Sequence, residues 1–273
     1  MRAKSKTTPF RSIRNLGTRL SSPEGLPRKR GIYLLPSFFT SCSIFAGFYA
    51  ITHSVNAQGG NDDFVKAAFA IVIAGLMDGL DGRVARMTNT MSRFGMEYDS
   101  LSDLVSFGLA PAMLLYCWGL RELDKFGWIA CFLFFACGAL RLARFNAHAD
   151  TANKAHFIGL PIPAGAGVVT STFLFLNHWW EGLKGDSYVL LLLTIVTALL
   201  MVSTVKYPSF KDIDFRKRQP FKFLTMLIMI FAALAWQPET VLFLVSIGFA
   251  SYGLLTGLVR RTRVPQAESK AEV

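Results

Sequence analysis

The chain has 273 residues, of which 52% are hydrophobic and 17% charged, with a formal net charge of +11. Soluble domains carry roughly 25% charged residues, whereas here continuous apolar runs recur along most of the chain, the pattern of a protein with several membrane spans. A typical secreted domain, a disordered chain, a fibrous repeat and a transmembrane β-barrel are all excluded, the last because the runs do not alternate.

In chain order, residues 1–30 form a basic arm carrying nine Lys and Arg, from Arg2 to Arg30. The arm is too long and too basic before its first apolar run to read as a cleaved signal peptide. Candidate spans follow at 32–54, 63–82, 100–120, 126–147, 158–180, 186–205, 221–236 and 239–259. The seventh is short, which leaves open a re-entrant hairpin in place of the last two. The expected fold is an all-α polytopic membrane helix bundle. Its parts are the arm at 1–30, a core at 31–210, additional transmembrane helices at 211–260 and a tail at 261–273.

The excess positive charge could point to nucleic acid, but its placement decides otherwise. With the N-terminus in the cytoplasm, about 25 of the 29 basic residues fall in inner segments or at inner helix ends. The charge therefore reads as positive-inside topology and attraction to anionic membrane lipids, with no nucleic-acid partner. Both termini are expected in the cytoplasm of a bacterial-type cell, with the bundle in its inner membrane. Trp118, Trp128, Trp179, Trp180 and Trp236 fall at the expected outer ends, where the apolar ring and the polar N–H are both accommodated. Cys42, Cys117, Cys131 and Cys137 lie in apolar stretches without CxxC spacing and read as free thiols. His53, His148, His156 and His178 show no metal-ligand spacing.

Acids concentrate at one place. Asp78 and Asp81 are three residues apart, and Asp99 and Asp103 four apart. On helices each pair shares a face, separated by about 60° and 40° in projection. Both pairs are expected at the cytoplasmic ends of neighbouring antiparallel helices. Four carboxylates at one depth repel one another, and hard oxygen ligands select Mg²⁺, Mn²⁺ or Ca²⁺. Two such ions suit phosphoryl displacement. Gly82, Ala85 and Gly95 clear the helix faces for a bulky anionic ligand, and Arg86 can pair with phosphate through a planar fork. The bland alternative is a small-residue helix-packing motif with acids at a helix end. A second alternative is an ion-coupled transporter, which expects acids near the midplane and two repeated halves.

The full spacing DxxDGxxAR, eight residues, then GxxxDxxxD resembles the signature of the CDP-alcohol phosphotransferases, matching at Asp78, Asp81, Gly82, Ala85, Arg86, Gly95, Asp99 and Asp103. The resemblance implies a six-helix membrane core with about two helices added here. It also implies an enzyme that moves a substituted phosphate from a CDP-linked donor to an alcohol and releases CMP. The aspartates Asp78, Asp81, Asp99 and Asp103 would hold two divalent ions, Mg²⁺ or Mn²⁺, and Asp103 would be the general base. Asp78, Gly82 and Arg86 would bind the CDP-diacylglycerol donor, joined by Thr40 and Gly47: the opening Leu35-Pro36-Ser37-Phe38-Phe39-Thr40, with Gly47, resembles the family's first helix, although many relatives have Asn where this chain has Ser37.

Three further segments resemble one branch of the family, the bacterial and archaeal phosphatidylserine synthases: Arg141-Leu-Ala-Arg144-Phe145-Asn146, Phe157 to Ala164, and Val205 to Phe210. That branch implies L-serine as acceptor, with glycerol 3-phosphate, inositol phosphate or choline as alternatives. Arg141 and Arg144 share a face at an inner helix end, where a charge is functional by default. They could serve the donor's pyrophosphate or an acceptor carboxylate, with Asn146 positioning polar atoms. Snorkelling to the inner leaflet is the competing reading for the arginines. Pro161 and Pro163 suggest a helix break opening onto a cavity. A homodimer is left open as the assembly.

Overall fold

The computed structural model describes residues 34–57, 60–88, 92–147, 156–179, 187–208, 225, 228–229 and 232–262. The basic arm at 1–30, Trp180, the tail beyond residue 262 and half of the seventh expected span lie outside the described residues.

Helices dominate. Helix α1 spans Leu34–Asn56 and α2 spans Asn61–Met87, opening with Asp62 and Asp63 in its first turn, where acids face the positive end of the helix dipole. Helix α3, Arg93–Asp103, starts at Ser92, whose side chain accepts the Gly95 N–H, an N-cap of the ordinary kind. It runs without a break into a π-helical turn, Leu104–Leu109, and then into α4, Ala110–Trp118. The cause of the wide turn is Pro111. It has no N–H to donate to the Phe107 carbonyl, and its ring crowds that position. The ladder re-forms with the Ala110 N–H donating to Val105 O, one residue longer than an α-turn.

After a short 3₁₀ turn at Leu120–Leu123 come α5, Asp124–Ala147, α6, Ile162–Trp179, α7, Ser187–Val202, and α8, Pro238–Thr262. Helices α1, α8, the composite α3–α4 and the segment Leu120–Ala147 are each long and apolar enough to cross a membrane. Counting the continuous run from α3 to α4 as one helix, α1 to α7 give the expected six helices, with the third beginning seven residues before the sequence boundary of 100.

Two features depart from the sequence expectation. A two-stranded antiparallel ribbon pairs β1, His156–Ile158, with β2, Lys206–Pro208, so that Phe157 faces Tyr207. The chain then turns at Gly159 (φ +81°). Pro161 and Pro163 open α6 rather than break it. The Gly165 N–H bonds to Pro161 O at 2.9 Å, and Pro163 lies in the first turn, where a missing N–H costs nothing.

Helix α1 is the hub of the N-terminal half. It packs along α2 and also against α3, the π-turn and α4, whereas α5 packs on α7 and α6 on α8. Trp118 is buried in this assembly at 4% exposure, edge-on to Phe173 at 4.8 Å. It is a core residue at a helix end, not an interface anchor. Trp128, Trp179 and Trp236 are exposed. The His53 Nδ1 and Lys66 Nζ both lie 3.1 Å from Asp63 Oδ1.

Candidate active site

Chain direction alternates from α1 to α2 to α3. The start of α1, the end of α2 and the start of α3 therefore share one end of the bundle, and the end of α5 joins them. Asp78, Asp99 and Asp103 each offer a carboxylate oxygen there, all within 4.8 Å of one another. Asp103 Oδ1 is buried and has no hydrogen-bond partner among the described residues. A buried carboxylate without a donor is costly, and three acids this close repel. A hard divalent cation relieves both, so the donor set fits a metal.

Asp81 stands slightly apart. It is 6% exposed, and its carboxylate accepts a hydrogen bond from the buried Thr40 hydroxyl of α1. The Thr40 carbonyl accepts in turn from Ser102 Oγ at 3.3 Å, the residue before Asp103. One turn further on, Ser106 Oγ donates to Ser43 O at 2.9 Å. This approach needs Gly47: a Cβ there would lie 2.7 Å from Ser106 Oγ and 2.8 Å from Ser106 Cα. Thr40 and Gly47, expected to serve the donor, thus sit in the joint between α1 and the aspartate helices. Ser41 adds a tie at the rim, donating to Ser37 O at 2.8 Å and lying 3.0 Å from the Tyr98 hydroxyl.

No motif sets apart Ser41, Ser43, Ser102, Ser106 or Tyr98 in the sequence. The available signal was positions 40, 43 and 47, small or hydroxyl-bearing residues on one helical face.

Gly82 is exposed, and Arg86 folds back along α2 with its Nε donating to Gly82 O at 2.7 Å. Arg141 is 8% exposed, and its Nε is buried without a hydrogen-bond partner among the described residues. Arg144 points elsewhere. Its Nη1 donates to Val202 O at 3.0 Å and its Nη2 to Ser203 O at 3.5 Å, at the C-terminus of α7, where a cation suits the helix dipole. Asn146 Nδ2 donates to Ser100 Oγ at 3.0 Å, linking α5 to α3 between the two acids of that helix.

A model of the CDP-alcohol phosphatidyltransferase family matches residues 33–207. The chain belongs to this family. Members are generally divalent-metal dependent, in keeping with the aspartate cluster, and membership decides against the ion-coupled transporter. The CDP-alcohol phosphatidyltransferase relatives include the CDP-diacylglycerol–serine O-phosphatidyltransferase of Helicobacter pylori strain 26695, 37% identical over 85% of this chain and 94% of the relative. Proteins of the same name from Mycobacterium tuberculosis H37Rv and Methanocaldococcus jannaschii are 35% and 38% identical, over 82% and 67% of this chain and 79% and 78% of theirs.

Proposed function

We propose that this chain transfers the phosphatidyl group of CDP-diacylglycerol to L-serine, giving phosphatidylserine and CMP in phospholipid biosynthesis. The observation that carries the chemistry is the convergence of Asp78, Asp99 and Asp103, with one Asp103 oxygen buried and unpartnered. Serine as acceptor is supported by the names of the relatives.

Asp78, Asp81, Asp99 and Asp103 would hold two Mg²⁺ or Mn²⁺ ions, whose chemistry is neutralisation of the donor pyrophosphate and of the charge developing on CMP. Asp103 takes the proton of the serine hydroxyl. The serine oxygen bonds to the phosphorus that bears diacylglycerol. The bond from that phosphorus to the CMP oxygen breaks, and its electron pair leaves with CMP. Thr40 and Gly47 act on the donor indirectly, by fixing α1 against Asp81 and Ser106. Arg86 and the cleared face at Gly82 receive the donor's phosphates, and Arg141 receives a serine carboxylate or a donor phosphate. The distribution of basic residues supports a cytoplasmic site in the inner membrane of a bacterial-type cell.

The test is CMP release from CDP-diacylglycerol with a panel of serine, glycerol 3-phosphate, inositol phosphate and choline. Release with serine alone is expected. Release with another alcohol and none with serine overturns the acceptor.

A further inference from the structure

We infer that α8, which lies beyond the matched residues 33–207, positions the acceptor side of the active site through Tyr207 seated at Gly253; this rests on the serine reading above. Tyr207 is fully buried. Its ring lies against Gly253, where any Cβ would overlap it. It packs on Phe249 with centroids 5.4 Å apart, and its hydroxyl donates to Ala250 O at 3.4 Å. A notch of this shape in a helix is open to glycine alone.

What the notch holds is the ribbon. Tyr207 is paired with Phe157 across β1 and β2. The same ribbon is pinned by the Gly159 N–H to Val205 O at 2.8 Å and by the Leu160 N–H to Leu200 O at 3.0 Å. Gly159 in turn abuts the Arg144 guanidinium, which grips the Val202 and Ser203 carbonyls. One turn back along α5 is Arg141, buried, on the helix whose Asn146 donates to Ser100 beside Asp99. A rigid chain of contacts thus leads from α8 through Tyr207 and Arg144 to the α5 turn that presents Arg141. The aspartates lie on α2 and α3, outside this chain, which meets α3 where Asn146 of α5 donates to Ser100. Disturbing the notch should therefore disturb acceptor binding more than donor and metal binding.

The experiment measures steady-state kinetics of the full-length enzyme with serine and CDP-diacylglycerol. Gly253→Ala should raise the KM for serine by roughly tenfold with kcat within about twofold, the signature of lost uniform binding. The KM for CDP-diacylglycerol and the Mg²⁺ dependence should stay within about twofold of wild type. Tyr207→Leu in the Gly253→Ala background makes room for the new methyl and should recover part of the serine KM. Tyr207→Leu alone, which empties the notch without a clash, should raise the serine KM as well and carries the test if Gly253→Ala does not fold. An unchanged serine KM in Tyr207→Leu, or equal rises in donor and serine KM, overturns the inference. Wild-type enzyme that releases no CMP with serine overturns the parent reading instead, so the two failures are distinguishable.

Discussion

The Thr40 hydroxyl donates a hydrogen bond to the Asp81 carboxylate across 41 residues of sequence. Its carbonyl accepts from Ser102 at 3.3 Å, next to Asp103. A single residue of α1 therefore touches the helix of one aspartate pair with its side chain and that of the other with its backbone. Thr40→Val keeps the shape but leaves a buried carboxylate short of a donor, a loss of about 1–3 kcal/mol. We expect kcat/KM to fall roughly 10- to 100-fold, with Thr40→Ser close to wild type. Equal activity of the Val and Ser variants would show that the hydroxyl does not matter.

Asp78 and Asp99 have no comparable partner in α1 and meet Asp103 directly. Replacing either by Ala should lower turnover by about 10³-fold or more, the scale of several kcal/mol of lost charge stabilisation. Excess EDTA should abolish wild-type activity, and Mg²⁺ or Mn²⁺ should restore it. Full CMP release in EDTA would remove the metal from the mechanism.

Asp103→Asn retains size and hydrogen-bonding capacity but cannot take up a proton. A rate loss of roughly 10²–10⁴-fold is expected, with donor affinity measured by equilibrium binding nearly unchanged. Parallel losses of donor affinity and rate would make Asp103 mainly a ligand and remove its role as base.

Gly47→Ala tests whether Gly47 serves packing or ligand. The new methyl would stand 2.8 Å from the Ser106 Cα, and a backbone atom cannot rotate away. Overpacking of this kind costs about 1–3 kcal/mol, so the thermal midpoint should drop even without substrate. A variant of wild-type stability with a raised donor KM would return Gly47 to the donor pocket.

These cases mark what the sequence made legible. The aspartate spacing was readable because helical geometry alone sets which carboxylates share a face, and three of the four do converge. The joint that brings them together was harder to read. A row of Thr40, Ser43 and Gly47 on an apolar helix has the same pattern whether it meets another helix or lipid. The π-turn was equally hidden, since a proline predicts disruption without saying whether the chain kinks, widens or stops. Arg141 and Arg144 share a face at i and i+3. Yet the ribbon and the end of α7, which depend on distant pairing, divide their roles.

That division sharpens the question of which group reads the acceptor. Serine presents an ammonium and a carboxylate beside its hydroxyl, and a site that pairs them rejects analogues lacking one. Arg144 spends its Nη atoms on the Val202 and Ser203 carbonyls, whereas the Nε of Arg141 is buried without a hydrogen-bond partner among the described residues. Arg141→Lys replaces a planar fork with a point charge. We expect the serine KM to rise roughly tenfold or more with the donor KM little changed. Ethanolamine, which lacks the carboxylate, should lose relatively less. Arg144→Lys, which weakens the capping of α7 and the link from the ribbon to α5, should lower the thermal midpoint and raise the serine KM by less than Arg141→Lys does. If instead Arg141→Lys raises the donor KM and leaves that for serine alone, Arg141 serves the pyrophosphate. The serine assignment would then have no residue of this site behind it.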